Sequence, residues 1–270
     1  TSSKGLRGIG DTLLFNALVS AVWILILSVL NKFTCISAGS WLWGIVYGSV
    51  MSAFLLCKMQ AMVTGPVSVT SFIGCSSLLV STAFGMIYFE ESVTFIQVIG
   101  VILLIFALFL TTMKGRQSDI KETERVWMIW CILFFLCSGA TGIIFKLHQS
   151  SADKDNVNQM MIAAAITSMV LFLTISVIVQ RKTDKSLPYI APKIWKFVIA
   201  CGIVSCGYNR LNISLSGMLP SIVFFPLFNG SVIFLSSLFA AILFREKITK
   251  RQTAGITIGI IALILASGGV

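Results

Sequence analysis

The sequence predicts an all-α membrane protein made of two inverted-topology repeats of about five transmembrane helices, nine of which fall within this chain. Three observations lead there. The first is apolarity: 57% of the 270 residues are hydrophobic and 11% are charged, with a mean hydropathy of +0.96, which a soluble domain does not sustain. The second is that the apolar residues form continuous runs close to the ~20 residues an α-helix needs to cross a hydrocarbon core about 30 Å thick. A membrane β-barrel would instead show alternating segments of about ten residues. The third is repetition. Phe89-Glu90-Glu91-Ser92-Val93-Thr94-Phe95-Ile96-Gln97-Val98-Ile99-Gly100 returns 155 residues later as Phe244-Arg245-Glu246-Lys247-Ile248-Thr249-Lys250-Arg251-Gln252-Thr253-Ala254-Gly255. Phe, Glu, Thr, Gln and Gly recur in register, and most of these are polar, so general apolarity does not produce the match. The offset far exceeds a solenoid unit, so the duplicated piece is half of a bundle.

In chain order the predicted spans are 12–31, 41–62, 64–88, 94–113, 126–147, 158–180, 194–216, 219–244 and 252–268. Short polar connections separate them, the longest at Gly115–Arg125, Gln149–Asn156 and Arg181–Lys193. Assigning the connections alternately to two sides collects fifteen Lys and Arg on one side: Lys4 and Arg7, then those of 114–125, 181–196 and 245–251. The other side receives Lys32, Lys146 and Lys154. The positive-inside rule makes the rich side cytoplasmic, with the N-terminus inside and the C-terminus outside. Glu90-Glu91 then face out and the matching turn at 245–251 faces in, as inverted repeats require. The net charge of +10 is accounted for by inner-leaflet anchoring, not by a nucleic-acid surface.

The first repeat (1–116) holds four of these spans and the second (117–270) holds five. The mismatch, and an opening on Thr1, predict a further helix ahead of this sequence, with Thr1–Gly10 as the cytoplasmic loop that follows it.

Two such halves, each with a long helix, a short turn bearing Phe, Glu, Thr and Gln, and a Gly-containing apolar helix, resemble the EamA-type transporters of the drug/metabolite transporter superfamily. The residues that carry the resemblance are Phe89, Glu91, Thr94, Gln97 and Gly100, with Phe244, Glu246, Thr249, Gln252 and Gly255. The approach from Leu219-Pro220-Ser221 to Gly230-Ser231 is similar as well. The resemblance spans essentially the whole chain and implies a secondary, non-ATP transporter that alternates access to a central cavity. It is weak on substrate, because the family moves amino acids, other metabolites, amines and drugs. The sequence departs from the family in the missing first helix and in an orientation opposite to the common one.

An ionisable group inside a span costs about 2.5–3.5 kcal/mol on insertion scales, so such groups are the first candidates for function. Two are evident, Lys58 and Arg210. Lys58 also suits snorkelling to headgroups. Arg210, flanked by Tyr208, Asn209 and Asn212, is the stronger substrate-binding candidate. The ten acids lie in loops or at span ends, which weakens an exporter of lipophilic cations, since that would need a buried carboxylate. A neutral, zwitterionic or anionic metabolite such as an amino acid is favoured, its anionic group meeting Arg210.

Pro66, Pro220 and Pro226 mark backbone breaks at or near the starts of spans three and eight, where interrupted helices line substrate paths. Ser68, Ser71 and Asn229 lie nearby, and Ser138 and Thr141 of span five are further cavity candidates. Glu91 and Glu246 are expected to be hinges or caps on the helices that follow them. Seven scattered cysteines, with no paired motif and one histidine, His148, predict neither a metal site nor disulfides. No cofactor is expected, and no Walker loop is present. Catalytic groups do not cluster, so an embedded lipid enzyme is disfavoured, and duplicated halves argue against a passive channel. The expected partners are a small-molecule substrate and the lipid bilayer, with no nucleic acid; a homodimer is compatible with this composition.

Overall fold

The computed structural model describes residues 9–65, 67–91, 94–112, 124–182, 194–228, 231 and 250–267. Among these residues the chain is helical with no strand. The helices are α1 (Ile9–Leu30), α2 (Ala38–Thr64), α3 (Val67–Ser76), α4 (Leu78–Tyr88), α5 (Phe95–Thr112), α6 (Glu124–Ser150), α7 (Val157–Lys182), α8 (Trp195–Ser216), α9 (described over 221–228) and α10 (Lys250–Ser267). Among the described residues five stretches are long and apolar enough to cross a membrane: Ile9–Leu30, Ala38–Thr64, Val69–Tyr88, Arg125–Ser150 and Lys154–Arg181. Large side chains such as Leu25, Val63, Ile87 and Ile102 are well exposed. Water penalises such a surface and lipid does not. The protein is an all-α membrane protein.

Two differences from the predicted spans have local causes. The span expected over 64–88 is two helices. At the junction, the Ser77 hydroxyl donates to the Gly74 carbonyl at 2.6 Å, and the backbone bonds Ser77 N to Gly74 O and Val80 N to Ser77 O have the tighter three-residue spacing, so a serine turn interrupts the helix. The span expected over 126–147 extends from Glu124 to Ser150, which brings His148 inside the helix.

Helices α5 and α10 each carry one copy of the repeated motif's Gln and Gly, Gln97 and Gly100 in α5 and Gln252 and Gly255 in α10. The start of α5 explains two motif residues. The Thr94 backbone N–H donates to Gln97 Oε1 at 3.0 Å and the Gln97 backbone N–H donates to Thr94 Oγ1 at 3.4 Å. This reciprocal capping box satisfies two donors of the first turn.

The chain folds into two compact units that differ from the sequence halves: Thr1–Ser52 with Leu147–Ser214, and Ala53–Lys146 with Leu215–Val270. In the first unit α1 packs along α7. Gly44 and Gly48 of α2 approach Ala163 and Ala164 of α7 so closely that a Cβ at either glycine would overlap them. The Ser168 hydroxyl donates to the Gly48 carbonyl at 3.1 Å across this contact. Two glycines four apart let helices meet backbone to backbone. Ile194 and Val198 close the unit against Leu14, Leu18 and Val22.

In the second unit α5 packs along α10 and against α3. Leu78, Leu104, Phe224, Phe225 and Ala262 form its core, and Val101, Ile222 and Val223 extend it. Gly139 and Gly142 of α6 lie against Val80 and Ser81 of α4, where the Ser81 hydroxyl donates to the Gly139 carbonyl at 2.9 Å.

Candidate functional site

Polar groups gather at one place in each unit. In the first unit the gathering place is the C-terminal half of α8. Asn209 is half-buried; its Oδ1 accepts the Tyr47 hydroxyl at 2.8 Å and its Nδ2 donates to the Ser205 carbonyl at 2.9 Å. With both ends of the amide engaged, its orientation is fixed. Ser205 in turn accepts the Trp23 indole N–H at 2.9 Å. Tyr208 and Arg210 are exposed and Asn212 is half-buried. Arg210 Nε donates to Asn158 Oδ1 at 2.8 Å. Asn158 is the second residue of α7, so the guanidinium extends to the start of that helix instead of entering mid-span as the sequence suggested. No carboxylate among the described residues pairs with Arg210.

In the second unit the polar site is at the start of α9. Pro220 is exposed and its carbonyl accepts the N–H of Val223 at 3.1 Å and of Phe224 at 2.8 Å. It therefore opens the helix, where the absence of an N–H costs nothing. Pro226 is buried within 221–228 and denies the Ile222 carbonyl its usual helical donor. Glu91 comes to this start from the connection between α4 and α5. Its Oε2 accepts the Ser221 backbone N–H at 2.6 Å and its Oε1 accepts the Ser221 hydroxyl at 3.1 Å. Lys146 of α6 donates to Glu91 Oε1 at 3.1 Å and to the Leu219 carbonyl at 2.7 Å. Side-chain exposure is 10% for Lys146 and 14% for Glu91, so water screens the pair little. Glu91 is a helix cap, but on α9 and not on the α5 that follows it.

The other candidates of this unit lie apart from that start in their contacts. Ser138 and Ser77 share a hydroxyl–hydroxyl bond at 2.6 Å, and Thr141 donates to the Ser138 carbonyl at 2.6 Å. Lys58 is half-buried, its ammonium 5.9 Å from the Phe54 ring centroid. Ser71 is half-buried on α3. Pro66, Asn229, Glu246 and the side chain of Ser68 lie outside the described residues.

Sequence reasoning missed Lys146 and Asp11. Lys146 was counted with the charges of the polar connections although it falls just inside the span that ends at 147; the structure buries it within α6. Asp11 lies in the first turn of α1 with 4% exposure, accepting Gln180 Nε2 at 3.1 Å. It is at a span end as expected, yet it is a buried carboxylate, which the sequence did not reveal.

The model of the EamA-like transporter family matches residues 125–268. A solved structure described only as "crystal structure of protein" superposes with a TM-score of 0.71 at 12% identity, covering 96% of this chain and 88% of its own. At that identity the likeness shows the fold. No curated protein matches this sequence. Matched over more than half its length, and with α-helices as the regular structure of its membrane-crossing stretches, the chain belongs to the EamA-like transporter family, membrane transporters of the drug/metabolite transporter superfamily.

Proposed function

We propose that this transporter is a secondary carrier of a small metabolite, an amino acid or related compound with an anionic group, working by alternating access between inverted repeats. Arg210 carries the reading. It is a permanently charged guanidinium on a membrane-protein helix, oriented by the neutral Asn158 amide, without a carboxylate partner among the described residues. A cation held this way favours an incoming carboxylate or phosphate. The charge distribution along the chain supports a plasma or inner membrane location with the N-terminus cytoplasmic.

Thermal unfolding of the purified full chain tests the substrate class, because a ligand that binds only the folded state raises stability by about 2.7 kcal/mol at a hundred times its Kd. L-Aspartate, L-alanine, glycerol 3-phosphate and tetraphenylphosphonium would be compared on the wild type and on Arg210→Ala. Stabilisation by the carboxylates or the phosphate that disappears in the variant is expected. Stabilisation by tetraphenylphosphonium alone, unaffected by the variant, would overturn the reading.

A second reading, an exporter of lipophilic cations, is favoured by one observation. Asp11 supplies a buried carboxylate of the kind that alternately binds a proton and a cation. Under that reading Asp11→Asn removes the tetraphenylphosphonium response.

A further inference from the structure

The start of α9 is held by a closed set of polar contacts, all within the second unit. The Glu91 carboxylate accepts the Ser221 N–H, the Ser221 hydroxyl and the Lys146 ammonium. The same ammonium donates to the Leu219 carbonyl and lies 5.8 Å from the Phe89 ring centroid. Ser221 is fully buried, and Gly85 of α4 is so close that a Cβ there would overlap its side chain. Glu90, immediately before Glu91, has φ 51°, the left-handed region that a non-glycine residue enters at a cost.

We propose that Glu91 and Lys146 form a releasable latch on the start of α9, opening and closing as one unit while the rest of the protein stays folded. Three features carry this. The latch engages the Ser221 N–H, the first backbone donor of α9 because Pro220 before it has none, at a helix start where negative charge is favoured. The two charges are buried together, and removing one leaves the other uncompensated, so half-open arrangements are disfavoured and the latch has two discrete states. The left-handed Glu90 holds the connection in a conformation that relaxes on release, which lowers the cost of the open state. Discrete, sharply alternating contacts of this kind are what the conformational cycle of a transporter requires. In this role Lys146 is a positioning residue: it acts on α9 through Glu91. The latch rests on membership of a transporter family and not on the substrate class proposed above, so a failed Arg210 test leaves it standing.

The test uses the full chain in lipid nanodiscs without substrate. Amide hydrogen exchange is followed at Ser221 and at Leu104, whose side chain is buried in α5, together with acylation of Lys146 by a water-soluble succinimidyl ester read by mass spectrometry. A latch gives exchange at Ser221 and acylation of Lys146 that both report opening at least tenfold more frequent than the opening reported at Leu104. Glu91→Gln raises both by a further tenfold or more and leaves Leu104 unchanged. A static brace would open only with the whole fold, and equal opening at Ser221, Lys146 and Leu104 in the wild type would overturn the proposal even if no variant folds. The exchanged pair Glu91→Lys with Lys146→Glu gives an independent check. It restores the attraction but leaves the Ser221 N–H without its acceptor, so wild-type protection of Ser221 is not expected to return. Its return would reduce the contact to simple charge pairing and contradict the latch.

Discussion

Glu91 and Ser221, 130 positions apart in the chain, meet through two hydrogen bonds, from the Ser221 backbone N–H to Oε2 at 2.6 Å and from its hydroxyl to Oε1 at 3.1 Å. A residue of the first copy of the repeated motif thus caps a helix of the second sequence half. The motif therefore divides into a local part, Thr94 and Gln97 at the start of α5, and a long-range part, Glu91. Each part has its own consequence on substitution.

Thr94→Ala removes the side-chain acceptor for the Gln97 N–H and is expected to destabilise the protein by about 1 kcal/mol, within the usual range for a lost N-cap. Thr94→Ser keeps the hydroxyl and should recover most of it. Melting temperatures of the two variants in one detergent check this, and equal losses would remove the capping box from the account.

Gly85 and Gly207 form a contrasting pair. A Cβ at Gly85 overlaps the Ser221 side chain, whereas a Cβ at Gly207 meets nothing within 4 Å. Gly85→Ala should cost about 1–3 kcal/mol through forced displacement. Gly207→Ala, in the helical and exposed middle of α8, should stabilise by about 0.5–1 kcal/mol because it restricts the unfolded chain. The same melting assay reads both, and a neutral Gly85→Ala would mean that α4 and α9 lie farther apart than this structure shows.

Gly48→Val places a branched side chain against the Ala164 backbone of α7. The displaced atoms are main chain and cannot swing aside, so a loss of at least about 1–3 kcal/mol is expected. Loss of folded protein on size-exclusion chromatography, beside an unaffected Gly207→Ala control, is the readout. A monodisperse, fully stable Gly48→Val would contradict close packing of α2 on α7.

Much of this was legible in the sequence because it depends on local pattern. Continuous apolar runs located the helices. Hydropathy ended span five too early because His148 and Gln149 interrupt the apolar run, whereas α6 continues to Ser150. The turn at Ser77 was hidden for a different reason: Ser76-Ser77 fits a helix as well as a break, and the choice is made by a hydroxyl bonding backward to Gly74. The target of Glu91 was not legible at all. Periodicity carries no information on which distant helix start a carboxylate will meet, and the dipole argument pointed to the nearer one. At Arg210 the residue type was readable, but its contact with Asn158 depends on how α7 and α8 pack.

Counterflow in proteoliposomes tests the central claim most directly. Vesicles containing the full chain would be preloaded with unlabelled L-aspartate or glycerol 3-phosphate and supplied with the labelled compound outside, without ATP. Alternating access to an anion-recognising site predicts transient accumulation that saturates with concentration and falls at least tenfold in Arg210→Ala. Uptake that rises linearly with concentration and is unchanged by the internal load would contradict a carrier, and accumulation of tetraphenylphosphonium alone under the same protocol would contradict the anionic substrate.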